Sequence, residues 1–171
     1  YIDTKDFREV DRVQRSLLQG YQYDIAYYAT AEEKVKAEKC YLSLAKQLLD
    51  KENHKFQYKE IEHGGRAQKY YSSVEWLLRA DMVQLCKLVT DVRFDLDDYA
   101  RDDFFRAYTT DLSLLMAMKD FSLKQHIVEN TLAGNSKGGI YECAIADALY
   151  KKGYQIYFYK NETTKREIDV I

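Results

Sequence analysis

The spacing of apolar positions changes along the chain, and the changes mark the elements. From residue 6 to about 28, Phe7, Val10, Val13, Leu17 and Tyr21 recur at three- and four-residue steps among Arg and Asp. That is the period of one helix face, with Asp3 and Thr4 as candidate N-caps. A second helix is predicted over about 32–51, with Val35, Cys40, Leu44 and Leu48 apolar. Glu32 and Glu33 in its first turn suit the positive end of the helix dipole. "KENHKFQYKEIEHGG" breaks the pattern and "RAQKYYSSVEWLLRAD" restores it. There Tyr70, Val74, Leu77 and Leu78 form one face, while Arg66, Lys69 and Ser73 lie largely off it. "MVQLCKLVTD" then alternates, imperfectly, as a strand.

An acidic connector, "DVRFDLDDYARDD", separates a first unit over residues 1–92 from a second over 93–171. The second unit opens with a short extended piece, a helix starting near Thr110 or Asp111, and a helix at about 122–132. Asn135 or Ser136 caps a helix running to about Lys152, and Gly153 ends it. "YQIYFYK" is a strand rich in aromatic and β-branched residues. "NETTK" is a hairpin-like connection, and "REIDVI" is a second strand with Glu167 and Asp169 on one side and Ile168 and Val170 on the other. The order helix, turn, helix, strand in the first unit is that of a winged helix-turn-helix, with the helix at about 66–80 in the recognition position. The expected fold is mainly α with α+β parts.

Composition narrows the function classes. Apolar residues are 46% and charged residues 32% of the 171, which suits a folded chain with one core or two small ones. A net charge of -2 gives no global basic field toward nucleic acid or membrane. Over residues 54–80, five Lys or Arg stand against three Glu, a weak local bias around Arg66 and Lys69. No apolar run approaches the roughly 18–20 residues needed to span a bilayer, so a cytoplasmic protein with no membrane partner is expected. Cys40, Cys86 and Cys143 are widely spaced and set among apolar neighbours, as reduced packing residues are. Proline is absent, and most of the 16 tyrosines sit at spacings that suit a core boundary.

Two carboxylates carry the candidate chemistry. On a helical wheel Glu142 falls among Ile145, Ala146 and Leu149, where a carboxylate needs a partner. Two readings are open: Glu142 sits in the helix's first turn, near the positive end of its dipole, and reaches solvent or an Arg, or it aims across the sheet at a shared polar site. Asp169 is either an exposed strand residue or the other half of that site. Two such carboxylates would form a hard-oxygen site for Mg²⁺ or Mn²⁺, able to activate water at a phosphodiester.

Four stretches, in order, resemble the C-terminal region of a bacterial and archaeal family of AAA+-type P-loop ATPases. Gln14, Leu17 or Leu18, Tyr21 or Tyr23, and Asp24 are similar to its linker helix, and Trp76, Leu77, Ala80 and Val83 to its winged-helix segment, with Asp81 where Gly is usual. Arg106, Tyr108, Asp111, Leu114 and Leu115 match its "K.Y..D.GLL", with Ser113 where Gly is usual. Lys137, Gly138, Glu142, Leu149, Gly153, Tyr154, Tyr157 and Asp169 match its last segment, which resembles a restriction-endonuclease-like fold. The resemblance implies an accessory region that couples an ATPase module to a protein or nucleic-acid partner, with ATP bound only by the parent protein. It also implies Glu142 and Asp169 as the first acidic positions of a nuclease site, whose "E.K" strand has no counterpart before Ile171. This fragment is then expected to be inactive and to self-associate or disorder at a truncated sheet edge. "GNSKGG" lacks a preceding strand and a Gly-Lys-Ser/Thr, so it reads as the start of a helix and not as a phosphate loop.

Overall fold

The computed structural model describes residues 1–49, 55–161, 163, 164 and 166–171. The expected end of the second helix at residue 51 and the first residues of the pattern break lie outside them. The described part is a mainly helical, mixed α/β fold built on a small open sheet.

Helix α1, Phe7–Tyr28, starts later than Asp3 and Thr4 suggest. Lys5 takes a left-handed φ of 53°, which turns the chain once before the helix. Asp6 is therefore the cap, its Oδ1 accepting from Arg8 N at 2.8 Å. Helix α2, Glu33–Leu49, is the central element. It packs on α1, on α3 (Ala67–Arg79) and on α6 (Gly134–Tyr150). Ala37, Cys40, Tyr41, Leu44, Leu48 and Leu49 are all buried in it.

Strand β1, Val83–Val89, pairs antiparallel with β2, Ala100–Thr109, from Val83↔Thr109 to Val89↔Ala100 with a bulge at Lys87/Leu88. Both faces of β1 are largely buried, which explains why its alternation is imperfect in sequence. The pairing crosses residues 92 and 93, so one sheet joins the two segments divided above. Beyond β2 come α4 (Leu112–Ala117, capped by Asp111) and α5 (Phe121–Val128, capped by Asp120). Strand β3, Tyr157–Lys160, lies parallel to β1, and β4, Glu167–Ile168, lies antiparallel to β3, giving the order β2-β1-β3-β4. The hairpin β1–β2 is thus part of a wider sheet and not a detached wing.

Helix α6 opens at Gly134 after Ala133, with neither Asn135 nor Ser136 as its N-cap. Ser136 Oγ instead donates to the Leu49 carbonyl at 2.9 Å. At Gly139 a methyl group would lie 1.8 Å from the Leu48 carbonyl oxygen, so the "GNSKGG" stretch serves a close helix–helix contact. Gly153, with φ of 80°, reverses the chain after α6. Among the described residues no helix is long and apolar enough to cross a membrane.

Candidate functional site

Arg106 is the pivot of the site. It stands on β2 opposite Cys86 of β1, with its side chain only 7% exposed. Its guanidinium carbon lies 4.6 Å from the centre of the Phe158 ring of β3, so an aromatic face supports it from below. Arg106 Nη1 donates to Glu142 Oε2 at 3.1 Å and to Asp169 Oδ1 at 3.0 Å. Arg106 Nη2 donates to Glu167. Tyr108, two residues along the same strand face, donates its hydroxyl to Glu142 Oε2 at 3.1 Å.

Each partner arrives for a local reason. Glu142 flanks the buried line of α6, which runs through Gly139, Cys143 and Ala146. That line is rotated from the one expected: Ile145 is 51% exposed. The cause is α2, which presses on α6 at Gly139 and so selects the small residues for the interface. β4 covers only Glu167–Ile168 and Asp169 stands in the bend just past it, yet both carboxylates reach the Arg106 guanidinium. The segment after β4 stays on the sheet because Ile171 N donates to Tyr157 O at 2.9 Å and Tyr157 N to Ile171 O at 3.1 Å. Exposure rises outward, from 18% for Glu142 through 29% for Glu167 to 59% for Asp169. Lys160 Nζ adds a second cation 3.3 Å from Glu167 Oε2.

Electrostatics hold Arg106 charged. Burial opposes its ionisation, but the facing Tyr108, Glu142 and Asp169 outweigh burial and push its pKa up. Burial first, then the charge of Glu142, pushes the Tyr108 hydroxyl up, against the pull of Arg106. That hydroxyl therefore stays a proton donor. Burial also pushes the Cys86 thiol beside them up to about 12. A guanidinium that cannot release its proton is no general acid or base. The arrangement is an ion cluster that pins the terminal strand to α6 and β2.

The two carboxylates singled out in the sequence thus meet on Arg106, the kind of partner the plainer reading gave Glu142, although α6 starts at Gly134 and Glu142 stands mid-helix and not in the first turn. Glu167, Arg106 and Tyr108 were not assigned to the site. The available signal was Arg106 and Tyr108 spaced two apart on a strand of otherwise apolar burial. As a metal centre the donor set does not fit: Arg106 Nη1 already lies at hydrogen-bond distance from both Glu142 and Asp169. Among the described residues no group of three or more His, Cys, Asp or Glu is arranged to hold a metal ion.

Arg66 and Lys69 sit on a different element. Arg66 is the exposed N-cap residue of α3. Lys69, one helical turn on, is bonded to Glu62, which Lys39 also reaches at 2.9 Å. Those two bonds, Lys69 first, hold the Glu62 carboxyl down at about 2.

Over residues 1–125 the chain matches the family described as Domain of unknown function (DUF8612). It belongs to that family. The DUF8612 match takes in α1 to α4, β1 and β2, and with them Arg106 and Tyr108. Glu142, Glu167 and Asp169 lie past its end. No curated protein and no solved structure matches the chain.

Proposed function

We propose that this chain is an interaction module, the accessory region of an ATP-binding protein of the AAA+ type, which engages a protein partner. The observation that carries the non-catalytic part of this reading is the tie of Arg106 Nη1 to both Glu142 and Asp169. A buried cation supplied by the chain itself offsets the repulsion that a divalent metal would otherwise be needed to offset. The use of "GNSKGG" in the contact between α6 and α2 supports placing ATP binding outside this chain. The coupling to an ATPase rests on the sequence resemblance.

A protein partner is favoured over nucleic acid by charge. In the winged-helix reading, the turn between β1 and β2 would approach phosphate, and it carries four aspartates over residues 91–98 against Arg93. The Lys69 ammonium on α3 is already paired with Glu62.

The convergence of Glu142 and Asp169 is what favours the second reading, a metal-dependent nuclease. The two are separated by titrating Mn²⁺ into the full-length parent protein and assaying cleavage of single- and double-stranded DNA. The interaction reading expects no cleavage, and no Mn²⁺ binding that Glu142→Ala or Asp169→Ala removes. Cleavage lost in both variants would overturn it. DNA affinity that falls with salt and with Arg66→Ala and Lys69→Ala would instead support recognition through α3.

A further inference from the structure

The turn between β1 and β2 combines an unusual exposure with an unusual charge. Phe94 is 107% exposed, so its ring stands fully in solvent, and Val92 beside it is 52% exposed. A phenylalanine in water forgoes the burial that otherwise makes it useful. Residues 91–99 carry Asp91, Asp95, Asp97 and Asp98 against Arg93, a local net charge of -3.

The turn is held in shape. Thr90 N donates to Tyr99 O at 3.0 Å across its base. Arg93 Nε donates to Asp91 Oδ2 at 2.6 Å, and its guanidinium lies 5.4 Å from the centre of the Tyr99 ring. Asp97 Oδ1 accepts from Tyr157 at 2.7 Å and from Gln155 at 3.0 Å, which ties the turn to the β3 segment. An aromatic ring on a braced backbone costs little ordering entropy when it is bound.

We propose that Phe94 is the anchor of a docking surface for a protein whose apolar pocket is rimmed by Lys and Arg. This deepens, and rests on, the interaction reading above. Charge decides the class of partner: the aspartates repel the phosphates of nucleic acid and of anionic lipid, and they attract a basic rim. Phe94 and Val92 fill the pocket, and Asp95 and Asp98 face the rim as the electrostatic ring around a buried aromatic anchor.

The test uses the whole chain as bait for a displayed library of folded helical hairpins randomised over one face. The expected binders carry apolar residues flanked by Lys or Arg. They lose about tenfold or more in affinity on Phe94→Ser, as a central anchor does. They also lose association rate, and salt sensitivity of that rate, on Asp95→Asn with Asp98→Asn. Phe94 is fully exposed, so Phe94→Ser keeps the wild-type unfolding midpoint, and a loss of binding is not a loss of fold. Basic binders that hold the Phe94→Ser chain as tightly as wild type would overturn this surface while leaving an interaction function elsewhere intact. Selection of acidic or uncharged binders alone would overturn it as well. Metal-dependent DNA cleavage would sink the underlying reading by a separate route.

Discussion

Replacing Arg106 by Met tests the ion cluster most directly. Met keeps much of the apolar stem, so little cavity is added and the change is chiefly electrostatic. The three carboxylates lose the cation that each contacts. Removing one member of a buried ion pair costs about 3–5 kcal/mol, because the remaining charge is left uncompensated. That figure applies to Glu142, which is 18% exposed, and less to Asp169, which at 59% turns into water for about 0–1 kcal/mol. The expected loss is about 3–4 kcal/mol, or roughly 6–16 °C in unfolding midpoint for a chain of this size. Urea unfolding followed by circular dichroism measures it. Hydrogen exchange over residues 167–171 reports whether the terminal strand is released. Adding Glu142→Gln to the variant removes the stranded charge and should restore about 1.5–3 kcal/mol, a coupling that additive sites lack. A loss under about 0.5 kcal/mol, unchanged exchange at the terminal strand, or strict additivity would refute the cluster as a brace.

Gly139→Ala forces a methyl group against the Leu48 carbonyl and should destabilise by about 1–3 kcal/mol in urea unfolding. Gly138→Ala meets nothing within 4 Å on the same helix and should stabilise by about 0.5–1 kcal/mol. Burial pushes the thiols of Cys40 and Cys86 up to about 12 and that of Cys143 up to about 11, so a disulfide reagent at pH 8 should leave all three unmodified until urea unfolds the chain. Glu62, held down at about 2 by Lys69 and Lys39, contributes stability above its ordinary value of 4.5 and loses it as pH falls from there toward 2. Its NMR titration in the folded chain should show that depressed midpoint, and Lys69→Met should move it upward.

What the sequence determined by itself is the inventory of elements. A three- to four-residue apolar period is a property of one segment, so the bounds of α1, α2 and α3 were legible within a residue or two wherever the structure describes them; the face of α1 was not, since Val13 and Leu17 are each 49% exposed while Leu18 and Ile25 are buried. The aromatic run around Phe158 was legible for the same reason, since a strand's two sides are set by its own pleat; the strand expected over 166–171 was not, because β4 covers only Glu167–Ile168 and Asp169 stands in a bend past it. The caps were less so: Asp6 displaced Asp3 and Thr4 through one left-handed residue, Lys5, which no local composition announces. Only the tertiary structure decided which face of α6 is buried, because that choice belongs to α2. Contact at Gly139 turned the helix so that Ile145 faces water and Glu142 faces Arg106. Likewise β2 and the terminal segment have two strands between them in the sheet, and only the reach of a guanidinium joins Glu142, Glu167 and Asp169 into one cluster. Periodicity records how a residue is placed within its own element; the partner it meets depends on how distant elements share a surface, and that is fixed by packing.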